Sequence, residues 1–192
     1  MAKGLWMFKN FDVSIESISP LLMHNGQLAD PMNEWTRKLK ALSGNRKKTD
    51  EIFAEMSRIE WFGSLYAMDD KLIIPSEMIE ACLIEGAKKS KLGKQFKSAV
   101  FVSDNAVLNI GVKYTIQSLW DAEIYRDVRG VRVGTSRIMR TRPKFMKWST
   151  DFRIDFDPDL VQQHEVMKAL NDAGTQVGLG DFRPKFGRFK VV

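Results

Sequence analysis

One cysteine, Cys82, in 192 residues excludes an internal disulfide framework and any cysteine-rich metal site. Two histidines, His24 and His164, are too few for a zinc site without carboxylates in support. The N-terminal stretch "MAKGLWMFKNFDVS" lacks the apolar core of a signal peptide, and no apolar run approaches the length of a membrane span. A reducing, cytoplasmic compartment and no membrane partner are therefore expected. The chain has no P-loop, dinucleotide fingerprint, Ser-His-Asp order or zinc spacing, so neither a cofactor nor a metal is expected. Internal repeats and low-complexity linkers are missing as well.

What is there is positive charge. Hydrophobic residues make up 44% and charged residues 28%, a globular balance, with a net charge of +6. Four stretches hold 23 of the 30 lysines and arginines. Residues 37–48 carry Arg37, Lys38, Lys40, Arg46, Lys47 and Lys48. Residues 88–97 carry Lys88, Lys89, Lys91, Lys94 and Lys97. Residues 126–147 carry Arg126, Arg129, Arg132, Arg137, Arg140, Arg142, Lys144 and Lys147, against the single acid Asp127. Residues 183–190 carry Arg183, Lys185, Arg188 and Lys190. Such clustering makes local positive fields and favours a polyanionic partner; the bland alternative is a set of solvated faces and helix ends.

Periodicity sets the elements. Phe11, Val13 and Ile15 alternate with Asp12, Ser14 and Glu16, predicting a half-buried strand within 8–19. The loop "SPLLMHNGQLADP" leads to Asp30-Pro31, read as the start of a helix with Met32, Trp35, Leu39 and Leu42 inward. "NRKKT" is a basic connector, and Thr49 caps a second helix with Ile52, Phe53, Met56 and Ile59 inward. "GSLYAMDDKLIIP" predicts a hairpin turning at Asp69-Asp70. Pro75-Ser76 starts a third helix on which Ile79, Cys82, Leu83 and Gly86 share a face; a glycine there implies close approach of another backbone. Short strands are expected over 99–125 and a long basic hairpin over 126–147, with Gly130 and Gly134. Trp148, Thr150, Phe152, Ile154 and Phe156 then alternate with polar residues, the clearest strand in the chain. Asp157-Pro158 is read as a helix start, Gly174 as its end, and Phe189-Lys190-Val191 as a final strand.

Both ends thus read strand, helix, strand. Two such halves favour an α+β, ferredoxin-like (RRM-like) antiparallel sheet with helices on one face. The expected organisation is a single domain, 1–192, with its core at about 8–90 and 148–192 and the basic hairpin region, about 91–147, inserted.

Between the last helix and the last strand lies "VGLGDFRPKFGRFKVV". Gly178, Gly180 and Gly187 bracket a stiff insert carrying Arg183, Lys185 and Arg188. Bare backbone lets amide N–H groups close on a phosphate, and arginines can fork onto its oxygens. The other reading is a tight helix-to-strand turn.

The helix, "GLGDFRPKFGRF" and the final strand together resemble the glycine-rich signature of the RAMP superfamily, the ferredoxin-like RNA-binding subunits of CRISPR effector complexes. "LIIPSEMIEACLIEGAKK" resembles a second feature of that family, a strand and proline-started helix whose first turn faces the guide RNA. "SISPLLMHNGQLADP" sits where the backbone subunits have a loop after the first strand. The resemblance runs through most of the chain in order, and as a standalone chain it looks more like a phage-encoded homologue than a host subunit. It departs from the family in two places: Phe182, Pro184 and Phe186 fill a loop that is usually small and polar, where they could stack bases, and the helix at 76 lacks the usual glycine in its first turn.

The resemblance implies single-stranded nucleic acid as ligand, RNA ahead of DNA with both left open, and self-association along it. The expected binding set is Lys88, Lys89 and Lys91 at the helix end, Arg126, Arg129, Arg132, Arg137, Arg140, Arg142 and Lys144 on the hairpin, and Gly178, Gly180, Arg183, Lys185, Gly187 and Arg188 on the loop. With about six phosphates contacted, affinity would fall roughly a thousandfold between 50 and 200 mM salt. Phe145 could be a stacking platform or core; Trp148 is expected in the core. In some CRISPR backbone subunits an acidic residue in the loop after the first strand cleaves RNA. Asp30 lies about there and His24 could act as base, which makes an endoribonuclease one alternative; helix capping explains Asp30 equally well. The other alternative is a phage interaction protein that mimics or inhibits a host CRISPR effector complex through the same basic surface. Cys82 reads as core and His164 as a surface residue.

Overall fold

A computed structural model describes residues 8–44, 47 and 49–192. The basic connector at 45–48 therefore lies, apart from Lys47, outside the described residues. In chain order the elements are β1 (Lys9–Ser17), β2 (Leu21–Leu22), α1 (Glu34–Ser43), α2 (Asp50–Gly63), β3 (Ala67–Met68), β4 (Lys71–Ile74), α3 (Ser76–Ala87), α4 (Gly93–Ala99) and β5 (Val100–Phe101). There follow β6 (Ala106–Val107), α5 (Ile116–Asp121), β7 (Arg126–Val133), β8 (Ser136–Phe145), β9 (Ser149–Phe156), α6 (Gln163–Asp172) and β10 (Phe189–Val191). The chain is mixed α+β with antiparallel sheets.

It divides into two compact units. One comprises the residues up to Leu21, Ile73–Gly111 and Lys147–Val192; the other comprises Leu22–Leu72 and Val112–Met146. This differs from the expected core with a 91–147 insertion. Residues 22–72 belong with the hairpin, and 91–111 belong with the terminal strands.

In the first unit the strand order is β10-β1-β9-β5, every neighbour antiparallel. The register explains its two faces. Val13 lies opposite Phe152, Ile15 opposite Thr150 and Phe11 opposite Ile154, so the apolar alternations of two distant strands meet on one buried face. The other face carries Asp12, Glu16, Asp151 and Asp155 against Arg153 and Lys190. α3 and α6 pack together at Gly86: a Cβ there would stand 2.3 Å from the carbonyl oxygen of Ala169 and 2.8 Å from the nitrogen of Ala173, the close approach that its place on the apolar stripe implied. α6 starts later than expected. Asp157 accepts the N–H of Asp159 in a turn, and the helix begins after Gln162, whose N–H reaches the Glu165 carboxylate. Gly174 does not end the helix either. The chain winds on through a π-helical turn, Ala173–Val177, and Gly174 is small because the carbonyl of Phe189 would lie 2.4 Å from its Cβ.

In the second unit α1 begins after Asn33, whose side chain accepts the Trp35 N–H at 2.9 Å; Asp30 instead accepts the Met32 N–H at 2.8 Å in a preceding turn. The expected apolar stripes are only partly buried, with Met32 67% and Phe53 52% exposed. Ile59 is buried as expected, and the core extends from it to residues outside the stripes. Trp61 is fully buried, donates Nε1–H to the Tyr125 carbonyl at 2.9 Å and packs edge-on against Phe62 and Trp120. Trp120 comes from α5, a helix where strands were expected, started by a Thr115–Ser118 capping box. β7 and β8 form the predicted long hairpin, with Arg132 opposite Arg137 beside its turn. Among the described residues no helix is long and apolar enough to cross a membrane.

Candidate nucleic-acid interface

The glycine loop leaves the π-helical turn at Gly178 and returns to β10 at Gly187, both buried. Their backbones are left-handed, with φ of 82° and 76°, and each glycine faces the other leg of the same loop. A Cβ on Gly178 would stand 2.7 Å from the Phe186 carbonyl oxygen, and one on Gly187 only 1.8 Å from that of Leu179. The glycine amides are also taken. Gly178 N–H donates to Ala173 at 2.8 Å, Gly187 N–H to Pro20 at 2.7 Å, and Gly180 N–H points at the Met78 sulfur at 3.3 Å. These three amides are thus not the phosphate cradle that the motif implied. The outer glycines close the legs of the loop, and the side chains at its tip, 182–185, are exposed.

That tip meets α3. Glu85 and Lys89, at the end of the helix, line an open cleft of about 610 Å³ whose other wall is Gln176, Val177 and Gly180 through Pro184. Lys88 pairs with Glu85. This hydrogen bond, together with the charges of Arg183 and Lys89, holds the Glu85 carboxyl below its ordinary pKa. Glu85 is therefore an anion surrounded by three cations. It was not singled out in the sequence, although its place three residues before Lys88 on a helix is a pairing signal. Arg183 also reaches toward the Gly178 carbonyl, Nη1 to oxygen 3.5 Å. Cys82 lies behind the loop, its sulfur 3.3 Å from the same carbonyl. Burial pushes the Cys82 thiol up to about 12 against the opposing pull of Arg183, so it is a core residue with no thiolate to offer.

The remaining loop and helix cations are exposed. Lys91 ends the turn after α3 in a left-handed conformation; Lys185 sits at the loop tip. Arg188 is exposed, but its backbone is fixed: its N–H donates to Ser19 Oγ, and its carbonyl accepts from Ile18 and Ser19. The Arg183–Pro184 peptide bond is cis.

The hairpin is less of an arm than its composition implied. Arg140 Nη1 donates to the buried Glu60 carboxylate at 2.5 Å. Arg129 pairs with Asp127 on its own strand, and Arg142 is buried. Arg126 lies 4.6 Å over the Trp120 ring and 3.5 Å from Glu123. Lys144 is half-buried; Arg132 and Arg137 stay exposed beside the hairpin turn. Phe145 is fully buried against Tyr125, which settles it as core rather than a stacking platform. Trp148 is buried as expected, its Nε1–H on the Ser19 carbonyl.

The candidate catalytic pair finds other employment. Half-buried His24 has Nδ1 3.4 Å from Ser64 Oγ, and exposed Asp30 receives the N–H of Met32. His164 is exposed on α6. On the open sheet face, a hollow lined by Asp12, Asp104, Asp151 and Asp155 surrounds Arg153. Excess negative charge there disfavours a polyanion, whereas the α3–loop cleft balances Glu85 and Asp181 with Lys89 and Arg183 and has Lys88 beside it.

No protein-family model matches the chain, and no curated protein matches its sequence.

Proposed function

We propose that the protein binds single-stranded nucleic acid, without catalysis, at the cleft between the end of α3 and the C-terminal glycine loop. The observation that carries this reading is the meeting of Lys89 and Arg183 across that cleft. The two segments are about ninety residues apart in sequence, and each is a cluster of basic residues in its own right. Arg183 offers a fork to phosphate oxygens and Lys89 a compact point charge, with Lys88 and Lys185 nearby in the chain. RNA is preferred over DNA because of the resemblance to the RAMP superfamily. Supporting that kinship is the strand order of the four-stranded sheet: numbered within that sheet, it is 4-1-3-2, antiparallel throughout, with α3 and α6 in the two crossovers. This order supports a ferredoxin-like reading of the sheet.

About three phosphates held by these side chains give a log–log salt slope of about −2 for a single strand, gentler than six would. The test is fluorescence anisotropy with a short labelled single-stranded RNA. Lys89→Glu combined with Arg183→Glu should abolish binding while circular dichroism and Tm stay unchanged. Retained binding by this double variant overturns the reading. In the same assay Glu85→Gln should tighten binding about twofold to fivefold, since it removes one exposed like charge from beside the ligand. Unchanged or weaker binding would place the phosphates away from Glu85.

A further inference from the structure

Resting on that reading, we infer that Phe182 is a nucleobase platform, so that the cleft takes a whole nucleotide, with its phosphate on Arg183 and Lys89 and its base on the ring.

The three bulky residues of the loop play different parts. Phe186 is buried, in the leg that Gly178 and Gly187 close, while Phe182 is 45% exposed on the cleft wall. The two rings meet edge-on, centroids 6.1 Å apart and planes at 79°, so the buried ring steadies the exposed one. Phe182 also has φ of 57°, a conformation uncommon for a bulky residue and costing about 1–2 kcal/mol. A glycine or asparagine would relieve that cost at once. A large apolar ring kept at a strained, half-exposed position beside cations is poorly explained by packing alone.

Its neighbours supply the rest. Arg183 follows immediately and lines the same cleft, as does Lys89 from the turn just past α3. Consecutive residues place their side chains about one Cα step, 3.8 Å, apart at the root. Aromatic and cation are then spaced on the scale of a base and its own phosphate. Stacking is tolerant of base identity because every base has a π-face, and it requires an unpaired base free to leave its neighbours. The cleft would therefore select single strands over duplexes without selecting sequence.

The experiment compares a short single-stranded RNA oligonucleotide with its abasic counterpart of equal length and charge, by anisotropy competition. Wild type should bind the base-bearing strand about 5- to 150-fold more tightly, the worth of one stacked base. Phe182→Ala should bind both strands equally, at the abasic level. Phe182→Leu, which keeps an apolar contact with Phe186 and guards against a loop that fails to form, should likewise lose the preference, and Phe182→Trp should restore it. Equal binding of both strands by wild type overturns the inference and leaves the phosphate site standing; so does a preference that survives in Phe182→Ala and Phe182→Leu. Binding of neither strand overturns both the inference and the reading beneath it.

Discussion

Gly187→Ala is expected to destabilise the protein by about 4 kcal/mol or more, a size reached only when a substitution has nowhere to go. Two effects add. An L-residue at φ of 76° costs about 1–2 kcal/mol. The new Cβ would also stand 1.8 Å from the Leu179 carbonyl oxygen and 2.7 Å from the Leu179 nitrogen, all backbone, with no flexible side chain to swing aside. The legs of the loop would have to part, losing the hydrogen bonds from Leu179 N–H to Gly187 and from Gly187 N–H to Pro20. Each is worth about 0.5–1.5 kcal/mol net. At about 2–4 °C per kcal/mol for a chain of this size, Tm should fall by about 8–16 °C. Gly111 is the internal control. It has the same φ of 76° but nothing within 4 Å of its would-be Cβ, so Gly111→Ala should cost only the conformational part, about 1–2 kcal/mol. Equal losses at both sites would show that backbone strain, not the approach of Leu179, is what glycine relieves at 187.

That outcome bears on how a glycine-rich motif is read. Three glycines and interleaved arginines predicted a loop that approaches something closely, and it does. Sequence spacing does not say what is approached, and here it is the loop's own return leg. On the proposed reading the phosphate-facing role falls to side chains, of which Arg183 and Lys185 were visible in the sequence and the cleft partner Glu85 was not. Where a pattern is local and repeated it is legible: the alternation through Phe152, Ile154 and Phe156 located β9, and the apolar stripe of Ile79, Cys82 and Leu83 located α3 and the close contact at Gly86. Where two residues offer the same chemistry it is not. Asp30 and Asn33 are both good helix caps three residues apart, and the choice between them depends on which backbone N–H each side chain meets. Long-range pairing is invisible in the same way. The grouping of 22–72 with 112–146 follows from contacts such as the Trp61 indole on the Tyr125 carbonyl, 64 residues apart, which no local periodicity records.

The hairpin arginines show the consequence, and Glu60 is where to test it. Glu60→Ala is expected to cost about 2–4 kcal/mol. Its carboxylate is buried in α2 and accepts from Arg140 Nη1 at 2.5 Å and from the Thr141 N–H at 2.8 Å. Removing it strands a buried amide, and leaves a guanidinium about one-third exposed without its counter-ion. Residual exposure of Arg140 lets water recover part of the loss, which keeps the figure below that of a fully buried pair. Glu60→Gln retains an acceptor for the amide and should cost roughly half as much. In a double-mutant cycle with Arg140→Ala the coupling should be about 1–3 kcal/mol, measured by urea unfolding. Arg140→Ala itself should lower stability and leave the affinity for single-stranded RNA unchanged, because its charge is already spent on Glu60. If Arg140 served a phosphate instead, its replacement would weaken binding and flatten the salt slope by about 0.7, with little change in the urea midpoint.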